Sequence, residues 1–243
     1  MATKKPNGLT DNASWLQVIN LLSDLVVYNH YDFDEFLKKL IKVVIEVIPT
    51  DSCLIYFYDQ DKSELILIGS KKPHKEQLGK IILRKGEGIT GWVAEHKQTV
   101  AIEKEAYKDP RFKFFEDLPE DTYESFLSVP IVNQAGVVGV VNLQNRKPYK
   151  FSKIEIKTIE SLVKLIASAF VKVVLKRQVD RLENQLEERK VIEKAKGLLM
   201  KYKNLDEATT YKFLRQESMN RRKSMKEVAE SILLVYEALG KYP

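Results

Sequence analysis

Apolar residues at Phe33, Phe36, Leu37, Leu40, Val43, Val44 and Val47 recur at spacings of three and four, and Pro49 follows them. That period predicts an amphipathic helix over residues 33–48, stopped by the proline, and a similar pattern predicts another over 14–29. The period then changes. "SCLIYFYDQ" and "SELILIGS" are short, apolar and β-rich, joined at Asp59–Lys62, and predict a strand pair across a tight turn. "LGKIILRKGEG" predicts a third strand ending in a glycine turn, "ITGWVAEHK" a short helix and "QTVAIE" a short strand. Residues 103–125 are irregular, polar and aromatic, with turns at "DPRF" and "DLPED". "SFLSVPIVN", the turn "QAG" and "VVGVVNLQN" predict a hairpin.

From Ser152 the spacing is helical again, with Ser152 as N-cap and Glu155 three residues on, and the pattern runs to about residue 203. Within it Leu175, Val179, Leu182 and Leu186 alternate spacings of four and three among charges, the pattern of a short coiled-coil seam. A single helix with a core stripe would give the same spacing. The remainder predicts a small bundle, with N-x-x-E at Asn204 and Glu207 and S-x-x-E at Ser224 and Glu227 as helix starts.

Charge sharpens this division. The net charge is +6, and the last 55 residues carry 13 Lys and Arg against 7 Asp and Glu, so the first 188 residues are neutral. A basic tail on a neutral body is the expected footprint of a module that binds a polyanion. No apolar run reaches the roughly 20 residues of a membrane span. No signal-like core follows the N-terminus, so a cytoplasmic protein without a membrane partner is expected. Cys53 is the only cysteine, which excludes an internal disulfide and a cysteine-based zinc site. No nucleophile, base and orienter combine, and no phosphate-cradling glycine loop is present, so no catalytic residue, metal site or enzyme activity is expected and no cofactor is named.

The segments "GEGITGWVAEHKQTVAIEKEAYKDPRF", "SFLSVPIVNQAGVVGVVNLQN" and "FSKIEIKTIESLVKLIASAF" resemble a GAF domain over residues 14–173. The resemblance implies an antiparallel sheet with helices on one face and a ligand pocket, roofed by loops and short helices, on the other. Such domains are sensors more often than catalysts, and a small-molecule ligand of unknown identity is the implied partner. Trp92, Tyr107, Arg111, Phe112, Phe114, Tyr123 and Phe126 cluster in the roof sequence. All but Phe114 are taken as candidate pocket residues. Arg111 could meet an anion, or hold the loop by hydrogen bonds, and the aromatics could simply pack the roof. Cyclic-nucleotide-binding members carry N-K…F…D-E. Here Asn145 and Phe151 fit, but Arg146, Glu155 and Ile156 depart. Reductase-type members need several cysteines. His30, His74 and His96 are too scattered for a haem or iron site, and Cys53 reads as a buried hydrophobe.

The tail "RKVIEKAKGLLMKYKNLDEATTYKFLRQESMNRRKSMKEVAESIL" closely resembles an ANTAR domain, with Thr210 standing where alanine is usual and Ser218 the commoner variant of an alanine position. The resemblance implies a three-helix unit that binds paired RNA stem-loops in a nascent transcript, favours antitermination and works as a dimer. The candidate RNA-binding residues are Lys190, Lys194, Lys196, Gly197, Lys201, Arg215, Asn220, Arg221, Arg222 and Lys223. Gly197 falls on the lysine face, outside the stripe of Ile192, Ala195, Leu199 and Tyr202. A glycine there removes a side chain where an RNA backbone or a second helix must come close. Tyr211 could stack on a base or pack in the core.

The expected fold is α+β: a tail (1–13), an antiparallel GAF sheet with flanking helices (14–173), a coiled-coil-like linker (174–188) and a small ANTAR bundle (189–243). The expected function is a dimeric, signal-responsive regulator of transcription antitermination. Two alternatives stay open, a DNA-binding transcription factor and a non-catalytic signalling protein whose tail only dimerises.

Overall fold

The computed structural model describes residues 12–27, 32–71, 77–114 and 123–240. The expected tail lies outside these, apart from the residues that begin the first helix. The chain divides into two units, Met1–Leu175 and Lys176–Pro243.

The first unit opens with helices α1 (Asn12–Val27) and α2 (Phe33–Val47). Strands β1 (Ser52–Asp59), β2 (Glu64–Ser70) and β3 (Ile82–Arg84) follow, then helix α3 (Gly88–His96) and strand β4 (Val100–Ile102). A 3-10 turn at Ala106–Lys108 precedes the hairpin of β5 (Ser125–Asn133) and β6 (Gly136–Asn145), and α4 begins at Lys153. The six strands form one sheet in the order β3-β2-β1-β6-β5-β4, every neighbouring pair antiparallel. Central β1 and β6 pair from Ser52↔Gln144 to Phe57↔Gly139.

Strand alternation sorts this unit into two cores. Cys53, Ile55, Leu127, Val129, Val141 and Leu143 share a buried cluster with Phe36, Leu40 and Val44 of α2 and Ile159, Ile166 and Phe170 of α4. Their strand neighbours Leu54, Tyr56, Phe126 and Val140 share a second cluster with Ile89, Val93 and Ala94 of α3 and with Ala106. The expected helix face and roof face are therefore both present. Burial pushes the Cys53 thiol up to about 12, which keeps it protonated and inert, as its reading as a buried hydrophobe required.

Helix α4 runs Lys153–Lys203 and starts with the expected reciprocal cap: Ser152 Oγ accepts from Glu155 N–H at 3.2 Å, and Glu155 Oε2 accepts from Ser152 N–H at 2.7 Å. Glu155 also accepts the Tyr149 hydroxyl at 2.5 Å, so its carboxylate is committed to helix geometry.

The second unit packs the end of α4 with α5 (Glu207–Arg221) and α6 (Met225–Ala238) around Leu199, Leu214 and Val228. Ser224 and Glu227 form the expected capping box. The other predicted cap is displaced. Asp206, not Asn204, caps α5, its Oδ1 accepting from Thr209 N–H at 2.6 Å, while Asn204 takes a left-handed turn with φ +50°. Asparagine tolerates that conformation, so it ends one helix here rather than starting the next. Thr210 is buried and donates its hydroxyl to Asp206 O at 2.7 Å, which satisfies it.

Gly139 shows how tightly the sheet centre is built. A Cβ there would lie 2.4 Å from Tyr56 O and 3.1 Å from the Phe170 ring. Gly139→Ala is expected to destabilise the first unit by about 1–3 kcal/mol or more through forced backbone movement, read from chemical denaturation of the full chain.

Candidate functional site

On the roof face, α3 and the segment leading to Phe114 enclose a cavity of about 30 Å³. Leu54, Tyr56, Leu83, Ile89, Phe112 and Phe126 give it apolar walls. Thr90, Lys113, Asn142 and Gln144 supply the polar groups. A buried chain fixes two of them: Ser128 Oγ donates to Asn142 Oδ1 at 2.7 Å, and Asn142 Nδ2 donates to Thr90 Oγ1 at 2.7 Å. Lys113 Nζ lies 2.5 Å from Glu87 Oε1. Glu87 is held below the ordinary carboxylate range, first by the Arg84 N–H and then by Lys113.

Of the candidate pocket residues, the cavity takes Phe112 and Phe126. Arg111 is spent on its own loop. Its Nε and Nη2 donate to Asp109 at 2.9 and 2.8 Å, and its guanidinium lies 4.7 Å from the Trp92 ring centroid. That pairing holds Asp109 below the ordinary carboxylate range. Trp92 also stacks on His96 at 4.1 Å. Tyr107 is half-buried with Lys108 over its ring, and Tyr123 is buried; neither lines the cavity. Arg111 thus locks the roof instead of facing a ligand, because its partner Asp109 lies two residues away and costs little chain entropy to reach.

Asn142 and Gln144 are cavity residues that the sequence reading misses. Both lie on one face of β6, two residues apart in "VVNLQN", and polar alternation within an otherwise apolar strand is the signal that could find them. His96 lies at the end of α3, and His30 and His74 lie outside the described residues. Among the described residues no group of three His, Cys, Asp or Glu side chains could hold a metal ion.

In the second unit, Lys190, Lys194, Gly197 and Lys201 form an exposed stripe of α4. A Cβ on Gly197 would meet nothing within 4 Å, so the glycine answers no packing need among the described residues. Arg215 is exposed on α5, and Asn220, Arg221, Arg222 and Lys223 are exposed at its end and in the turn to α6. Asn220 Oδ1 accepts from Gln216 at 3.0 Å, and Arg221 Nε donates to Glu217 at 2.8 Å. Lys194, Arg215, Arg222 and Lys223 form no salt bridge among the described residues. Tyr211 is 47% exposed and so is not core.

Lys196 is the correction in this set. Its side chain is only 8% exposed, and its ammonium bridges Glu193 and Glu207, each at 2.8 Å. Those hydrogen bonds, Glu193's first, raise its pKa above the ordinary lysine value. Position i+3 to Glu193 turns the side chain toward the start of α5 rather than to solvent. Leu175, Val179, Leu182 and Leu186 are 46–64% exposed, which removes the alternative of a buried core stripe.

Residues 30–171 match the GAF domain family and residues 180–233 the ANTAR domain family. The chain belongs to the GAF family and carries an ANTAR domain after its GAF domain. A GAF domain structure from a phosphoenolpyruvate-protein phosphotransferase of Coxiella burnetii is similar in fold, with a TM-score of 0.59 and 24% identity, over 69% of this chain and 99% of that one. The transcriptional regulatory protein PdtaR of Mycobacterium tuberculosis is 34% identical over 93 residues, 38% of this chain and 44% of PdtaR. The nitrate regulatory protein of Klebsiella oxytoca is 41% identical over 61 residues, 25% of this chain and 15% of that protein. The chain therefore spans less than half the length of these curated relatives. Among the described residues no helix is long and apolar enough to cross a membrane.

Asp206, Glu207 and Glu227 are all held below the ordinary carboxylate values of 3.8 and 4.5: Asp206 by the Thr209 N–H, Glu207 by Lys196, Glu227 by the Ser224 N–H. Each binds its proton more weakly folded than unfolded. The stability each adds is full above its unfolded pKa and lost as pH falls through the lower folded value. The bundle is expected to lose stability on acidification below about pH 4, followed by the melting of the α5 and α6 amide resonances on heating, and Asp206→Asn should flatten that loss. Lys196→Glu, which gathers three carboxylates, should lower the melting temperature, whereas Lys196→Met, which keeps the buried stem, should lower it less.

Proposed function

We propose that this chain is a bacterial regulator of transcription antitermination that binds RNA stem-loops through its ANTAR domain and a small-molecule signal in the cavity of its GAF domain. What carries the RNA part is the cation set of an ANTAR domain that forms no salt bridge among the described residues: Lys194, Arg215, Arg222 and Lys223. Lys190, Lys201 and Arg221 add charge at the same elements, Asn220 offers an amide, and Lys196 is left out as a structural bridge. Arginine forks suit phosphates and unstacked loop bases, and exposed Tyr211 gives a stacking surface beside them. Open space over Gly197 lets a backbone approach the lysine stripe. The names of two relatives, a transcriptional regulatory protein and a nitrate regulatory protein, support a regulatory role.

The chain works as a homodimer in this reading, with Leu175, Val179, Leu182 and Leu186 as its seam, because four half-exposed apolar side chains at heptad spacing are covered by no described residue. A dimer supplies two basic modules, one per stem-loop. The signal acts by favouring one dimer state over the other, which requires unequal affinity for the two.

Charge reversal at Lys194, Arg215 or Arg222 is expected to weaken binding to a tandem stem-loop RNA. It should also flatten the salt dependence by about one counterion for each phosphate no longer neutralised, read by filter binding across a salt series. Gly197→Ala should stabilise α4 by about 0.5–1 kcal/mol yet weaken RNA binding. Duplex DNA competing as well as the stem-loops would favour a DNA-binding factor, and dimerisation without RNA binding would favour a purely dimerising tail. Leu182→Glu should shift the chain to monomer in sedimentation; an unchanged dimer would place the interface elsewhere.

A further inference from the structure

We infer that the cavity beneath α3 is built for a small neutral molecule presenting an N–H beside a C=O, the chemistry of a primary amide, a urea or a lactam. This rests on the reading of that cavity as the ligand site of the sensor.

The first observation is an unmet acceptor. Gln144 is 3% exposed and lines the cavity, and its Oε1, sealed from solvent, accepts no hydrogen bond from any described residue. A buried amide oxygen left without a donor is costly, so the site calls for a donor that the described residues do not supply. The second is a donor with a fixed direction. Thr90 Oγ1 already accepts from Asn142 Nδ2, and Asn142 Oδ1 is taken by Ser128, so the Thr90 hydroxyl proton remains to be donated. One acceptor and one donor, held by a strand and by a helix, are the complement of an amide edge.

Charge narrows the class. Among the described residues no acidic side chain lines the cavity, so a cation would find no counterion from them. Lys113 is the one cation among the lining residues, and it is bound to Glu87. An anion would have to displace that carboxylate while facing the lone pairs of Gln144 Oε1. Size narrows it further. The cavity volume of about 30 Å³ has room for about two water molecules, or the –CONH₂ end of a small ligand, against apolar walls of Phe112, Phe126 and Leu83. Turning the Gln144 amide over would present two donors, and acetate or N,N-dimethylacetamide would then pair as well as acetamide, an outcome the three probes separate.

The test uses the full chain and three probes of similar shape: acetamide, acetate and N,N-dimethylacetamide, which lacks the N–H. Acetamide is expected to shift the amide resonances of Thr90, Phe112 and Gln144 saturably, while the other two do not. Gln144→Leu should weaken acetamide by about tenfold or more and leave the melting temperature equal or higher, since it replaces an unmet polar group by an apolar one of similar size. Thr90→Val, which keeps the shape, should weaken it in the same direction and provides the second variant if Gln144→Leu does not fold. Acetate binding as well as acetamide, or dimethylacetamide matching it, would overturn the neutral N–H class while leaving the cavity a ligand site. If none of the three probes nor a broad fragment set perturbs these resonances, the cavity holds ordered water only, and both the ligand class and the sensor reading fall.

Discussion

The first unit depends on β1 and β6 lying side by side at the centre of a sheet that is buried on both faces. A strand covered on one side can spend every second residue on solvent; these cannot. Ile55, Val141 and Leu143 go to the helices, and Leu54, Tyr56 and Val140 go to the roof. Gly139 is where this constraint is tightest, because Tyr56 O and Phe170 leave no space for a methyl group. Any polar side chain on these strands must then find a partner inside the protein. Ser128, Asn142 and Thr90 do so with one another, and Gln144 Oε1 does not among the described residues. The chemistry of the cavity is in this sense a consequence of sheet burial.

The roof over that cavity is held by two local pairs and by two contacts that tie it to α3 and its entry. Asp109 fixes Arg111, Arg111 lies on Trp92, Trp92 lies on His96, and Glu87 ties α3's entry to Lys113. Residues that look like a ligand cluster in sequence are thereby used to fix the loop that covers the cavity.

The second unit faces a different problem. Its core is a few residues, Leu199, Leu214 and Val228 with their neighbours, and a bundle this small gains little from burial alone. Helix ends and ion pairs take a larger share. Asp206 caps α5, Ser224 and Glu227 cap α6, and Lys196 ties Glu193 of α4 to Glu207 of α5. Four acidic residues of the unit, Glu193, Asp206, Glu207 and Glu227, are drawn into these roles, while Lys194, Arg215, Arg222 and Lys223 form no salt bridge among the described residues. Its basic surface and its stability have a common origin.

Sequence alone determined the elements and the families, because period, caps and turn residues are local. The change from period two to period 3.6 at Ser152, the Ser224–Glu227 box and the two-family order are all legible in the chain itself. Tertiary structure decided which side chains remain available for chemistry. The lysine-rich sequence offers Lys196 as an RNA contact, although helical spacing sets it off the stripe of Lys190, Lys194 and Lys201, and the approach of Glu207 from the next helix shows that its charge is taken. The roof sequence offers Arg111 as an anion ligand, and Asp109 claims it once the loop folds. Gln144 reads as an ordinary strand residue until α3 packs over it and buries its oxygen with no donor among the described residues. The physical reason is the same in each case: a helix or strand is specified by its own residues, whereas the availability of a charge or a hydrogen-bonding atom depends on what the fold brings against it.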